Sequence, residues 1–129
     1  DCIVLNDVLE HMADPYSFLK HLRKKLSAAG VITASIPNVH HISVMKEYIF
    51  NRDWRYTESG TLDKTHLRFF SKKSIIRMFE EAGYGIRKIK GINASTSLKA
   101  KLFPVISFGF FSGTQYLQYG VAAELNKKK

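Results

Sequence analysis

Three ionisable side chains follow closely on a short apolar run near the start of the sequence. The run from Cys2 to Leu5 is rich in β-branched residues, which is typical of a strand buried on both faces. Asn6 and Asp7 end the run, and Glu10 and His11 come next. An imidazole, with an ordinary pKa of about 6.5, can act as a general base, and a neighbouring carboxylate can orient it or a substrate. Glu10 and His11 are therefore candidate catalytic residues; the alternative is that they only cap the following turn.

The same turn has a spacing that would permit metal ligation. Asp7, Glu10 and His11 stand at i, i+3 and i+4, so on a helical turn their side chains would share one face. Carboxylate oxygens and an imidazole nitrogen suit a divalent ion. Because three ligands from one turn are a weak pattern, we assign no metal site from the sequence.

A second group of candidate side chains lies in residues 51–70, a polar and aromatic segment that we predict to be a long loop. Loops of this length without regular structure are usually functional or mobile. His66 and Arg68 could bind an anionic or sugar-like substrate, since a guanidinium suits carboxylate or phosphate groups. The alternative is that Asp63 and Arg68 form an ion pair that only pins the loop.

Hydrophobic periodicity and turn signals divide the chain into alternating strands and helices. Asp14 followed by Pro15 is a strong helix-start signal, and Ser71 is a cap for a second clear helix. The predicted strands cover residues 2–5, 31–36, 84–92 and 116–125. The predicted helices run from residue 15 to the closing Gly30, over 41–50 and over 71–82. Residues 97–113 receive no assignment. This order favours an α/β fold with a largely parallel sheet. Ligands of such sheets bind outside the carboxyl ends of the strands, where residues 6–11 lie.

The chain is basic, with 129 residues and a formal net charge of +9. The positive residues are spread over the segment 20–25, Lys72 and Lys73, and the tail Lys127 to Lys129. We interpret them as solvated faces and a frayed end. Because no nucleic-acid motif accompanies the charge, no nucleic acid is predicted as a partner.

The composition of the chain excludes several types of site and indicates a cellular compartment. A single cysteine, Cys2, excludes an internal disulfide and a cysteine-based zinc cluster. No apolar run reaches the length of a membrane span, and the sequence opens on a strand rather than a signal pattern, so we expect a cytoplasmic protein. The apolar stretch LFPVISFGFF, residues 102–111, could be an acceptor lid, a membrane-touching patch or a segment packed on the sheet.

Three stretches together resemble class I S-adenosylmethionine-dependent methyltransferases of the type 11 and 12 kind. DCIVLNDVLEHMADPYSFLKHLRKKLSAAGVITASIPN is similar to the fourth to fifth strands of that family, DKTHLRFFSKKSIIRMFEEAGY to the segment entering its last helix, and YLQYGVAAEL to its final antiparallel strand. The resemblance implies half of a Rossmann-like, seven-stranded sheet. About four strands are expected, in spatial order first, second, fourth, third, with the last antiparallel and three main helices.

The resemblance also implies a function and residues that carry it. It implies transfer of a methyl group from S-adenosylmethionine to an unidentified small-molecule acceptor, with Asn6, Asp7 and Val8 beside the methionine end of the cofactor. The segment 51–70 would lie over the substrate side, which makes Trp54, His66 and Arg68 candidate substrate-binding residues beside the catalytic candidates Glu10 and His11. The turn is also similar to the Glu-x-x-Glu-His of quinone-biosynthesis O-methyltransferases, with Asp7 in place of the first Glu.

The sequence departs from that family in one respect. It contains no Gly-x-Gly-x-Gly turn after a strand, the element that holds the cofactor's methionine part at a helix N-terminus. We therefore expect residues 1–129 to be the C-terminal part of a methyltransferase domain, inactive alone although the full-length parent is an enzyme. Two other classes stay open: a non-catalytic partner-binding module with this fold, and a basic nucleic-acid-binding domain.

The first strand leads us to expect that the protein associates with a second copy of itself. In the complete fold the outer side of this strand would pair with a further strand. Residues 2–5 contain none of the residues Pro, Lys and Arg, which discourage pairing at an exposed edge. Unpaired apolar edges are templates for pairing with another chain. We therefore predict a homodimer in which two copies of this strand pair across a two-fold axis.

Overall fold

A computed structural model describes residues 1–126 of the chain, without the side chains of residues 99–101 and 103. It contains a four-stranded sheet made of β1 (Cys2–Asn6), β2 (Val31–Pro37), β3 (Tyr84–Ala94) and β4 (Tyr116–Leu125), in the order β1-β2-β4-β3. β1 and β2 are parallel, and β4 runs antiparallel to both of its neighbours. The predicted strand order and the reversed final strand are confirmed. The predicted frayed tail, Lys127 to Lys129, lies outside the described residues.

The helices are α1 (Pro15–Arg23), α2 (Ile42–Lys46), α3 (Lys72–Glu81) and α4 (Leu98–Ile106). Asp14 caps α1 by accepting a hydrogen bond from the Ser17 N–H at 3.0 Å. Ser71 and Ser74 form a reciprocal capping box at the start of α3. α1 ends well before Gly30, and the predicted helix over 41–50 is α2 followed by one wider turn, Glu47–Asn51.

The core lies on one face of the sheet. Leu19 of α1 and Ile75 and Phe79 of α3 are fully buried there against the alternate β2 residues Ile32 and Ile36. In β1 only Leu5 is buried, and Val4 is 59% exposed. The prediction that β1 is buried on both faces is therefore wrong, because within residues 1–126 the helices in the core pack against one face of the sheet only.

β3 carries a register shift between Ile86 and Lys88. A β-bulge places two residues opposite one and inverts the alternation beyond it. This explains why Ile86 and Ile89 are out of phase in the sequence although both contribute to the core cluster.

The segment 97–113, which received no assignment, begins with α4 and contains Pro104 inside that helix. Several of its apolar side chains are exposed: Val105, Ile106, Phe108 and Phe110. Of the three interpretations of the stretch 102–111, packing against the sheet is therefore wrong for these residues. Within the part of the chain that the structure describes, no helix is long and apolar enough to cross a membrane.

Candidate functional site

The turn after β1 is held by an unusual backbone conformation. Asp7 has a φ of 52°, in the left-handed region that aspartate tolerates better than most residues. Its N–H donates to the carbonyl oxygen of Ser35 at 3.1 Å, and the amide of Gln118 donates to its carboxylate at 2.5 Å. Asp7 thereby joins the carboxyl end of β1 to β2 and β4, at the edge where ligands of α/β sheets bind.

A single 3₁₀ turn, Leu9–His11, follows and buries an acidic side chain. Glu10 is only 1% exposed, and neither of its carboxylate oxygens has a hydrogen-bond partner among the described residues. Burial raises the pKa of the Glu10 carboxyl above its usual range, and the Asp7 carboxylate adds to the rise, whereas the main chain of Glu10 itself and the rings of His66 and His11 oppose it. The Glu10 carboxylate therefore does not cap the following helix, which Asp14 caps instead.

The main chain of Glu10 binds the long loop. Its carbonyl oxygen accepts hydrogen bonds from the N–H groups of Leu67 at 2.8 Å and Arg68 at 3.0 Å. These two bonds fix the loop against the turn after β1 and bring His66 to the site. The loop is therefore not structureless, because its backbone is paired with the turn that carries the catalytic candidates.

His11 and His66 form an edge-to-face pair with ring centroids 4.7 Å apart. Nδ1 of His11 lies 3.2 Å from the carbonyl oxygen of Thr65, and Nδ1 of His66 lies 3.0 Å from that of Thr61. A carbonyl oxygen can only accept, so each neutral ring carries its proton on Nδ1 and leaves the lone pair on Nε2. Both rings therefore present a basic nitrogen that the backbone does not use.

Glu10, His11 and His66 each offer one potential ligand atom, and these atoms lie within 4.8 Å of one another. Asp7 is outside this cluster. Asp7, Glu10 and His11 do not lie on one helical turn, the condition under which they would share one face, because the left-handed Asp7 precedes the turn, which begins at Leu9.

The other candidates in the loop take different positions. Arg68 donates through Nε to the carbonyl oxygen of Ala13 at 3.0 Å, so it ties the loop to the segment before α1. Asp63 accepts from the N–H and hydroxyl of Thr65, at 2.8 and 2.7 Å, and these bonds lower the pKa of its carboxyl. The alternative of an Asp63–Arg68 ion pair is therefore wrong.

Trp54 belongs to a partly exposed aromatic group that brings together the two ends of the loop. Its ring lies edge to face with Phe69, at a centroid distance of 5.2 Å, and with Tyr48 at 6.1 Å. Tyr56 lies 6.0 Å from Phe69 at a tilted angle. The four rings form a partly exposed apolar surface that is separate from the Glu10–His11–His66 cluster.

Three adjoining cavities surround these residues. A central cavity of about 210 Å³ is lined by Asp7, Glu10, His11, Pro37, Gly60, Asp63, His66, Leu117 and Gln118. It shares Asp7 and Gln118 with a groove of about 420 Å³ that also includes Asn6 and continues along the open face of the sheet. It shares Gly60 and Leu117 with an outer pocket of about 670 Å³ formed by α2 and residues 55–64.

Sequence reasoning missed the contribution of β4 to this site. Gln118 and Leu117 line the central cavity, and Gln118 also binds the carboxylate of Asp7. The local signal is a polar residue within a largely apolar strand. Such a residue is ordinary in a sheet with one open face, so the signal could not have identified it.

Comparison with known proteins gives a consistent family match. A family model described as a methyltransferase domain matches residues 1–89. A SAM-dependent methyltransferase from Methanosarcina mazei is similar in structure, with a TM-score of 0.61 and 12% identity over 99% of this chain and 60% of that one. A SAM-dependent methyltransferase from Thermotoga maritima, described as a possible histamine N-methyltransferase, has a TM-score of 0.59 and 15% identity over 96% and 55%.

A third similar structure is that of the small RNA methyltransferase HEN1, with a TM-score of 0.61 and 12% identity over 100% of this chain and 14% of that one. No curated protein matches the sequence. The chain spans from 14% to 60% of the length of these three solved structures. At such identities the likeness shows the fold alone, which confirms the predicted half of a Rossmann-like methyltransferase sheet.

Proposed function

This chain belongs to the methyltransferase-domain family, and from that premise we propose that it forms the acceptor-side part of an S-adenosylmethionine-dependent methyltransferase. The acceptor would be a small molecule. One observation carries the proposal: acidic and imidazole side chains from two distant segments meet at the carboxyl ends of β1 and β2, between the groove beside Asn6 and the outer pocket.

Asn6, Asp7 and Val8 are the residues that would hold the methionine end of the cofactor. The carboxylate of Asp7 and the nearby carbonyl groups are suitable acceptors for an ammonium group, and the adjoining groove is open. These residues would hold only part of that end, because the 129 residues contain no Gly-x-Gly-x-Gly turn. When bound, the cofactor supplies an electrophilic methyl group on a sulfonium.

Glu10 and His11 would act on the acceptor. Methyl transfer depends chiefly on positioning, and a base helps only where the acceptor must lose a proton. His11 is exposed and has its Nε2 lone pair free, so it can accept that proton. The buried Glu10 carboxyl would orient the acceptor.

The outer pocket would hold the body of the acceptor. Arg55 and Lys64 in its lining would supply positive charge and Tyr56 an aromatic surface, while His66 in the central cavity would lie at the reacting end. Arg68 and Trp54, the candidates from the sequence, are not among the residues that line this pocket. The larger volume of this pocket, about 670 Å³, is in the range of small-molecule sites.

Calorimetry with S-adenosylmethionine on the longest natural chain that contains these residues tests the proposal. Asp7→Asn removes the charge but keeps a residue that tolerates positive φ. We expect the variant to lose at least about tenfold in affinity, about 1.4 kcal/mol, while His21→Ala on the exposed face of α1 stays at the wild-type value. Equal affinity of Asp7→Asn and the wild type would remove the cofactor assignment.

A further inference from the structure

We propose that Glu10, His11 and His66 form a binding site for a divalent transition-metal ion, with Zn²⁺ as the best match. The three side chains offer one carboxylate oxygen and two imidazole nitrogens within 4.8 Å of one another. Two belong to the turn after β1 and the third to the loop before α3. The binding of the ion does not depend on the proposed function. A bound ion would use the Nε2 lone pair of His11, so the ion would replace His11 as the group that promotes loss of the acceptor's proton, and that role rests on the proposed function.

The buried Glu10 is the first observation that points to a cation. Its side chain is 1% exposed, and both carboxylate oxygens lack a partner in the described part of the chain. The two ion pairs found in that part join Lys64 to Glu58 and Arg87 to Glu124, so neither of them neutralises Glu10. Buried polar atoms in native proteins nearly always have partners, and a bound cation would supply one.

The orientation of the two imidazoles is the second observation. Backbone carbonyls of Thr65 and Thr61 accept from Nδ1 of His11 and of His66. Ligating histidines usually donate their other ring N–H to a carbonyl or carboxylate, which fixes the tautomer and the direction of the lone pair. Both rings therefore have the supporting hydrogen bond that metal ligands require.

The donor set selects the type of ion. Two histidines with one carboxylate make up catalytic zinc sites and the facial triad of iron sites. Mg²⁺ and Ca²⁺ prefer oxygen ligands alone. Three protein ligands leave coordination positions open, and the central cavity of about 210 Å³ has room there for an oxygen atom of the acceptor.

The distances require a modest adjustment. Ligand atoms on a tetrahedral zinc ion are about 3.4 Å apart, whereas the three atoms here lie within 4.8 Å of one another. His11 is exposed, so its ring can move towards the ion without disturbing the core.

Metal titration of the protein after removal of adventitious ions with a chelator tests the site. We expect one Zn²⁺ per chain with a micromolar or lower Kd. Co²⁺ should give visible absorption bands far stronger than those of the aquated ion. Glu10→Gln, which keeps the side-chain shape, and His11→Ala, at an exposed position, should each weaken Zn²⁺ binding at least about tenfold.

His21→Ala and His40→Ala are matched controls, because both histidines are exposed and lie outside the cluster. They should bind Zn²⁺ like the wild type. Circular dichroism of each variant shows whether the fold is kept. Substoichiometric binding, or equal affinity of Glu10→Gln, His11→Ala and the wild type, would overturn the site.

The titration uses neither S-adenosylmethionine nor an acceptor, so its outcome is separate from that of the proposed function. Zn²⁺ binding by the longest natural chain, if that chain fails to bind S-adenosylmethionine, would uphold the metal site and count against the proposed enzyme. Cofactor binding without Zn²⁺ binding would do the reverse.

Discussion

The rings of His11 and His66 lie 4.7 Å apart, edge to face, although one follows the first strand and the other belongs to the loop before α3. Main-chain hydrogen bonds bring them together, because the carbonyl of Glu10 accepts from Leu67 and Arg68. The geometry of the site therefore depends on how firmly this loop is attached to the turn after β1.

Arg68 strengthens that attachment, so its removal should destabilise the protein. Arg68→Ala eliminates the guanidinium hydrogen bonds to the carbonyl of Ala13. We expect the free energy of unfolding to fall by about 1 kcal/mol, which is below the usual range for a charged donor because the side chain is exposed. Urea unfolding measures this. Arg55→Ala, an exposed arginine of the same loop, should change it by less than about 0.5 kcal/mol. An equally small effect of Arg68→Ala would show that the backbone alone holds the loop.

The sequence carried most of the information about the sheet. Local patterns predicted α3 with its Ser71 cap, and β4 with its bounds, because capping chemistry and strand alternation are local. The strand order, however, followed from the family resemblance rather than from periodicity. What periodicity could not show was that β1 has one open face, since an apolar run has the same appearance whether one or both faces are covered.

The functional site was also only partly predictable, because local sequence patterns do not show contacts between distant segments. Glu10, His11 and His66 were each singled out from their types and positions. Their meeting was not, because it depends on contacts between distant segments. Arg68 pairs with a backbone carbonyl rather than with Asp63, and Asp7 leaves the helical turn through a positive φ. Neither a side-chain partner nor a left-handed residue of this kind has a reliable local sequence signal.

Tyr84 links β3 to α1 and should give the protein a distinct alkaline stability profile. Its ring is fully buried, its hydroxyl donates to the carbonyl of Leu19 at 2.9 Å, and burial raises its pKa above the ordinary 10.0, with Arg23 opposing. The unfolded chain loses this proton near pH 10 whereas the folded chain keeps it. The contribution to stability is therefore present below about pH 10 and is lost as the pH rises through the folded-state pKa.

Tyr84→Phe tests this contribution. At neutral pH the variant should lose about 1 kcal/mol of unfolding free energy, the net value of the hydrogen bond. Above about pH 10 its stability should fall less steeply than that of the wild type. Urea unfolding at a series of pH values measures both effects. Parallel curves for the variant and the wild type would mean that Tyr84 is ionised equally in both states.

The capping box of α3 gives a third prediction. Ser71 accepts from the Ser74 N–H at 3.2 Å, and the Ser74 hydroxyl accepts from the Ser71 N–H at 2.8 Å. Ser71→Ala leaves one helix N–H without its partner and should lower the unfolding free energy by about 1 kcal/mol. Lys73→Ala, an exposed position of the same turn, should stay within about 0.5 kcal/mol of the wild type. A loss as small as that of Lys73→Ala would show that water replaces the cap.

Cofactor affinity gives a fourth prediction. The 129-residue chain should bind S-adenosylmethionine weakly or not at all, because Asn6, Asp7 and Val8 would hold only the methionine end. A Gly-rich turn, which usually cradles the rest of that end, is absent from the sequence. Isothermal titration calorimetry on this chain measures the affinity directly. A micromolar Kd would contradict the view that further residues are needed.

The two edge strands of the sheet differ in charge, and this difference predicts that the protein self-associates through one of them. β1 and β3 are the edge strands. β3 exposes Arg87, Lys88 and Lys90, and such charges discourage pairing with another chain. β1 has no charged residue, and its Val4 is 59% exposed. Among the described residues, no strand pairs with its outer side.

We therefore expect the 129-residue chain to form a two-fold dimer in which two copies of β1 pair antiparallel and make one continuous sheet. Light scattering at tens of micromolar protein should give twice the chain mass. Val4→Lys places a charge beside the shared edge and should shift the protein to monomer, whereas Lys88→Val, which removes a charge at the opposite edge, should leave the β1 dimer in place. A wild-type chain that stays monomeric under these conditions would show that the β1 edge does not take a second copy, and a dimer that persists in Val4→Lys would place the interface elsewhere.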